Sequence, residues 1–176
     1  MDILKKLQCF DVQLFTWLAS SIRGPGVLSF TKALSKSGDG YLHIAIPVLL
    51  FTLSANHLSQ FCLTLTLAIT CERALYWVLK NSLKRRRPQE FEPSFRSLIT
   101  PSDQFSFPSG HSSAAFLLAT VLAVTYPGPV FVLYLWAIGV AVSRVLLGVH
   151  FPGDAIAGAI MGTTVALATA SLLGVG

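Results

Sequence analysis

Three short stretches carry the side chains that could do chemistry: "KNSLKRRRP" (80–88), "FPSGH" (107–111) and "RVLLGVHFPGD" (144–154). Lys80 and Arg87 stand seven residues apart, about two helical turns, a spacing that returns both cations to one side of a helix. Pro88 disfavours helix at the residue before it, which puts Arg87 at a helix end. Such a pair could clamp one anion, Arg with a planar fork suited to phosphate oxygens and Lys with a point charge. Pro108, Ser109 and Gly110 make a tight turn ahead of an apolar helical run. The first amides of a helix have no partner inside it and form a ready anion site; His111 stands in that first turn, beside the anion. His150 and Asp154 are four apart. The carboxylate could hold one imidazole nitrogen and leave the other free to attack, although Pro152 argues against a regular helix between them. Arg144 supplies a third cation.

Each group also has a plainer use. Residues 84–87 can bind anionic headgroups as a juxtamembrane basic patch, and this is the preferred reading for Lys84, Arg85 and Arg86. Ser109 and Asp154 can serve as helix caps. What favours joint chemistry is convergence on one membrane face. Two histidines, three cations and one firmly placed carboxylate suit an anionic substrate better than a metal. Magnesium and calcium prefer oxygen ligands, and His43 and His57 do not complete a zinc site. No metal and no other cofactor is expected.

The elements that must position these groups are membrane helices. Of the 176 residues, 53% are hydrophobic and 12% charged, with mean hydropathy +0.64, against about 25% charged in soluble domains. The fold class expected is an all-α, multi-span helical membrane bundle, a single domain over 1–176. About five transmembrane helices, near 41–55, 58–80, 111–126, 130–149 and 154–173, follow N-terminal interfacial helices within 1–40. Phe10, Leu14, Trp17 and Leu18 recur at helical spacing and predict a surface helix rather than a removable signal peptide. Residues 81–107 read as a loop outside the hydrocarbon. An up-and-down path brings the end of the second span, the start of the third, the end of the fourth and the start of the fifth to one face. All 13 Lys and Arg lie there or in a span leading to it. The net charge of +5 comes with no nucleic-acid motif, so the expected partner is anionic lipid or phosphate, not nucleic acid. Cys9, Cys62 and Cys71 read as packing residues.

Taken together, the three stretches resemble the signature of the type 2 phosphatidic acid phosphatase superfamily: Lys-x6-Arg-Pro at 80–88, Pro-Ser-Gly-His at 108–111 and Ser-Arg-x5-His-x3-Asp at 143–154. The resemblance implies that His150 is the nucleophile of a phosphohistidine mechanism, with Asp154 orienting it. It implies His111 as the acid for the leaving oxygen, and Lys80, Arg87, Arg144, Ser109 and the Gly110 amide as holders of the phosphoryl oxygens. The substrates it implies are undecaprenyl pyrophosphate, phosphatidylglycerol phosphate, phosphatidic acid or lipid A phosphate. A lipid phosphotransferase using the same intermediate and a passive lipid-binding protein are the alternatives. Glu72 and Arg73 lie inside a span, where charges are functional candidates for headgroup contact or a structural ion pair. The positive-inside rule puts the basic face in the cytoplasm. Bacterial relatives commonly face the periplasm, and because several cations belong to the site, the reading leans to the periplasmic face of the bacterial inner membrane.

Overall fold

The structure, a computed structural model, describes residues 3–20, 24–91, 95–126, 128 and 131–175. Arg23 and the side chain of Lys5, both counted on the basic face, lie outside the described residues. The described residues form an all-helical chain: α1 (Ile3–Ala19), α2 (Pro25–Ser37), α3 (Tyr41–Thr52), α4 (Leu58–Leu83), the single turn α5 (Pro88–Phe91), α6 (Gly110–Thr125), α7 (Phe131–Leu146) and α8 (Pro152–Leu172). The five apolar helices start and end close to the expected spans. The expected loop 81–107 needs correction at two places, because α4 continues to Leu83 and Pro88 opens a helical turn, the position where its missing N–H costs nothing.

At the centre, α6 packs along α8. Gly158 and Gly162, one helical turn apart, make the contact possible: a Cβ on Gly158 would meet the Ser109 carbonyl oxygen at 2.3 Å, and one on Gly162 the Ser113 carbonyl oxygen at 2.1 Å. Small residues spaced this way let helix backbones approach closely in membranes. Around this crossing, Phe61, Leu65 and Ala68 of α4 join Leu117, Leu118 and Val121 of α6 in one buried cluster.

The outside is apolar as well. Val132, Leu135, Ile138 and Val142 form an exposed stripe along α7, and Ile156, Ile160 and Leu167 one along α8. Exposed apolar surface on this scale marks a surface that meets lipid. Among the described residues two helices are long and apolar enough to cross a bilayer, the one starting at Leu58 and Pro152–Leu172. Helices α3, α6 and α7 are apolar but shorter, at 12, 16 and 16 residues.

The N-terminal helices do more than lie on the surface. Phe10 and Trp17 of α1 point outward, but Asp11 and Phe15 are buried, and Phe15 packs with Val145, Phe151 and Ala155. Residues 11, 15 and 18 share a helical face, so α1 presents one stripe outward and docks the other on α7 and α8.

Candidate active site

The end of α4, the start of α6, the end of α7 and the start of α8 meet, as the up-and-down path predicts. Ser109 N–H donates to the Asp154 carbonyl at 3.0 Å, tying the start of α6 to the start of α8. Leu98 N–H donates to the Leu147 carbonyl at 3.0 Å, tying the loop before α6 to the end of α7. At Gly148 the chain turns with φ +79°, a left-handed conformation suited to glycine, and Phe95 fills the space where a Cβ would stand.

This turn delivers His150, which is 2% exposed. Pro152 does not separate His150 from Asp154 so much as start the next helix: it is the first residue of α8, and Asp154 stands in the first turn. Asp154 is fully buried. Its Oδ2 accepts hydrogen bonds from the Phe151 N–H at 2.9 Å and from the Ser106 hydroxyl, and its Oδ1 accepts from Arg85 Nη1 at 2.7 Å. His150 Nδ1 lies 3.8 Å from Asp154 Oδ2, within ion-pair range but beyond hydrogen-bond length, and has no other partner. Burial pushes the His150 imidazole down to about 4, against the opposing pull of Asp154, and Arg87 and Arg144 add to the depression. The ring is neutral at pH 7.

Lys80 and Arg87 also converge, but not through two turns of one helix. The helix ends at Leu83, Lys84 adopts φ +45° and Arg87 sits in the non-helical segment beyond. The anion they hold together is Asp103: Lys80 Nζ meets its Oδ2 at 2.8 Å and Arg87 Nη2 its Oδ1 at 2.5 Å. Tyr76 Oη donates to the same Oδ2 at 2.6 Å, and Arg87 Nη1 donates to the Val149 carbonyl beside His150. Burial alone would raise the Asp103 carboxyl; the hydrogen bonds from Lys80 and Tyr76 and the charges of Lys80 and Arg87 outweigh it and hold the group at about 2.

In front of these groups opens a cavity of about 850 Å³. His150, His111, Arg144 and Gly110 line it; Lys80, Arg87, Ser109 and Asp154 do not, although Lys80 and Arg87 touch its wall through Asp103 and Asp154 approaches it through His150. Ser109 caps α6, its hydroxyl accepting from the Ser112 hydroxyl at 2.9 Å. Arg144 is 4% exposed; Nη1 donates to the Ser35 hydroxyl at 2.6 Å, and Nε has no partner. Glu72 and Arg73 pair with each other at 2.5 Å on the cavity wall, with Arg73 over the Tyr76 ring.

Three contributors escape the sequence motifs. Arg85, expected to bind headgroups, turns inward between Asp154 and Asp11, at 2.7 and 2.6 Å. Burial would lower its guanidinium, but Asp154 and Asp11 raise it on balance. Asp39, between α2 and α3, contacts His111 Nε2 at 2.7 Å, and Asp103 occupies the Lys80–Arg87 pair. The signal that could have found them is scarcity: the chain has only eight acidic residues, so an acid on a basic face is worth a search for its partner.

Residues 58–174 match the PAP2 superfamily. The chain is 29% identical over 143 residues to decaprenylphosphoryl-5-phosphoribose phosphatase of Mycobacterium tuberculosis, covering 80% of this chain and 77% of that one. It is 33% identical over 132 residues to undecaprenyl-diphosphatase of Sulfolobus acidocaldarius, covering 74% and 63%. Its structure is similar to LpxE of Aquifex aeolicus, with TM-score 0.79 and 28% identity over 90% of this chain and 93% of that one. The fold is also that of a transmembrane PAP2-type phosphatidylglycerolphosphate phosphatase from Bacillus subtilis, with TM-score 0.74 and 24% identity over 95% and 86%. Fold, motifs and relatives agree, and the chain belongs to the PAP2 superfamily as a membrane lipid phosphate phosphatase.

Proposed function

We propose that the chain hydrolyses a membrane lipid phosphate or diphosphate without a metal, through a phosphohistidine formed on His150. The observation that carries this reading is Arg144: a buried guanidinium with an unpartnered Nε, facing the cavity beside His150. Arg144 makes no direct ion pair among the described residues, with Asp39 and Asp103 acting on it only at longer range; a buried cation left so is costly, and a phosphoryl group in the cavity supplies the missing contact.

In the first step the neutral His150 Nε2 attacks phosphorus, the N–P bond forms and the bond to the leaving oxygen breaks. His111, on the same cavity wall, gives its proton to that oxygen. As the His150 ring becomes cationic, Nδ1–H closes on Asp154, its nearest carboxylate at 3.8 Å; catalytic hydrogen bonds are often long before substrate binds. Arg144 and the Gly110 amide take the phosphoryl oxygens, while Ser109 aims that amide by capping α6. Lys80 and Arg87 reach the phosphoryl group by exchanging Asp103 for it. Water then attacks phosphorus, passes its proton to His111 and breaks the N–P bond, releasing phosphate and restoring both histidines.

The five helices α3, α4, α6, α7 and α8 cross the inner membrane of a bacterium, and the site faces the periplasm at the bilayer surface. There a lipid keeps its tails in the hydrocarbon while its headgroup enters the cavity. The names of the relatives support the candidates undecaprenyl diphosphate, a phosphoribosylated prenyl lipid and lipid A phosphate; phosphatidylglycerol phosphate and phosphatidic acid fit the same chemistry. The test is phosphate release by the purified chain from a panel of these lipids in EDTA, with His150→Ala alongside. Release by the unsubstituted chain, reduced at least about a thousandfold in the variant, is expected. Equal release by the variant, or activity abolished by EDTA and restored by a metal, contradicts the proposal.

A further inference from the structure

The cavity carries two cations that this mechanism leaves unused, Lys32 and Lys36 of α2. Residues 32, 35, 36 and 39 fall at helical spacings of three, four and seven and so share one side of α2 and its C-terminal turn. All four line the cavity. Two of them touch the site directly: Ser35 accepts from Arg144 at 2.6 Å and Asp39 meets His111 at 2.7 Å. This polar face therefore runs along the histidine that serves the leaving oxygen.

The lysines have no counter-charge of their own. The cavity holds three carboxylates, and each is already engaged: Asp39 by His111, Glu72 by Arg73, and Asp103 by Lys80 and Arg87. Among the described residues the ammonium groups of Lys32 and Lys36, both on exposed side chains, make no hydrogen bond and no ion pair. Their helix is also fixed in place. A Cβ on Gly38 would stand 2.6 Å from Val140 Cγ1, and Trp136 Nε1 donates to the Ser37 hydroxyl at 2.9 Å, so α2 is docked tightly on α7. Lysines that served only bilayer headgroups would have no reason to share the face that touches Arg144 and His111.

We propose that Lys32 and Lys36 form a second anion subsite, which receives a phosphate carried by the leaving group, so that the preferred substrate is a lipid with two phosphates in series. The inference rests on the proposed function, because only there does His111 mark the leaving side. It assigns selectivity to α2, which lies outside the residues 58–174 that match the superfamily.

The test compares kcat/KM for a prenyl diphosphate and the prenyl monophosphate of the same tail, in neutral detergent, for the full chain and for the double variant Lys32→Gln/Lys36→Gln. The diphosphate is expected to be favoured at least tenfold. The double variant should lose most of that ratio, and Lys32→Arg/Lys36→Arg should keep it. A prenyl lipid with a sugar between its two phosphates locates the second phosphate: a drop there as large as on the diphosphate means the subsite reads a spaced phosphate, and a drop confined to the diphosphate means it reads an adjacent one. An unchanged ratio, whether both rates fall together or neither falls, overturns the subsite and leaves the phosphatase assignment standing. Loss restricted to anionic vesicles, equal for both lipids, overturns it in favour of bilayer binding. The phosphatase reading has its own control in His150→Ala, which should abolish release from both lipids.

Discussion

At the scale of single residues, the site is a set of buried charges sorted by whether the protein has already answered them. Asp154 is answered by Arg85, Ser106 and the Phe151 amide, and Lys80 and Arg87 by Asp103. Arg144 Nε and His150 Nδ1 have no hydrogen-bond partner, and both residues line the cavity. The motif residues were legible in the sequence because their spacing is local and their chemistry is restricted to few side-chain types. Asp11, Asp39 and Asp103 were not, because each finds its partner across at least 16 residues of sequence, and no local pattern encodes such a contact. Arg85 was misread for the same reason: within "KRRR" it cannot be told from its neighbours until α1 brings Asp11 against it. His150 also yields a pH prediction. Its folded value of about 4 lies below its ordinary 6.5, so the unfolded chain binds the extra proton below pH 6.5. The stability from keeping the ring neutral is complete above that pH and falls as pH drops toward 4, by about 3 kcal/mol at most. Thermal midpoints in detergent across this window should decline more steeply for the unsubstituted chain than for His150→Gln. Parallel curves would show that the ring is not held neutral by burial.

At the scale of elements, hydropathy located the apolar helices to within a few residues, because length and apolar content are what a bilayer selects. It located the polar joints less well. The expected loop at 81–107 contains the end of α4 and the α5 turn, and the Lys80–Arg87 convergence depends on the left-handed residue Lys84 that ends α4 rather than on helical periodicity. The packing of α6 on α8 depends on two glycines whose spacing is visible in the sequence but whose partner is not. Gly162→Ala tests that packing. Its added Cβ would lie 2.1 Å from the Ser113 carbonyl oxygen, so the two helices must separate, at a cost of about 1–3 kcal/mol. Because Ser109 and Asp154 sit at the ends of these same helices and are joined by the hydrogen bond at 3.0 Å, the variant should lose both thermal stability and kcat. A variant as stable and active as the parent would mean that α6 and α8 do not pack this closely.

At the scale of the whole molecule, the architecture separates three tasks. The apolar stripes of α7 and α8 face outward, the joined helix ends hold the proposed reacting groups, and α1 and α2 close the assembly from the N-terminal side. Asp11 ties α1 to the start of α8 through the Gly153 N–H at 2.8 Å and through Arg85, while α2 brings Ser35, Asp39 and the two lysines to the cavity. These helices were expected only to lie at the surface, since composition reports that a helix is amphipathic but not which neighbour its polar face will meet. Every step of the proposed reaction passes through the covalent intermediate on His150. The most direct measurement is rapid acid-free quenching of the full chain with a lipid labelled with ³²P at the scissile phosphate, followed by mapping of the label. An alkali-stable, acid-labile label on His150 is expected, formed before phosphate is released and missing in His150→Ala. Steady phosphate release with no label on His150, or a label on another residue, would contradict that intermediate.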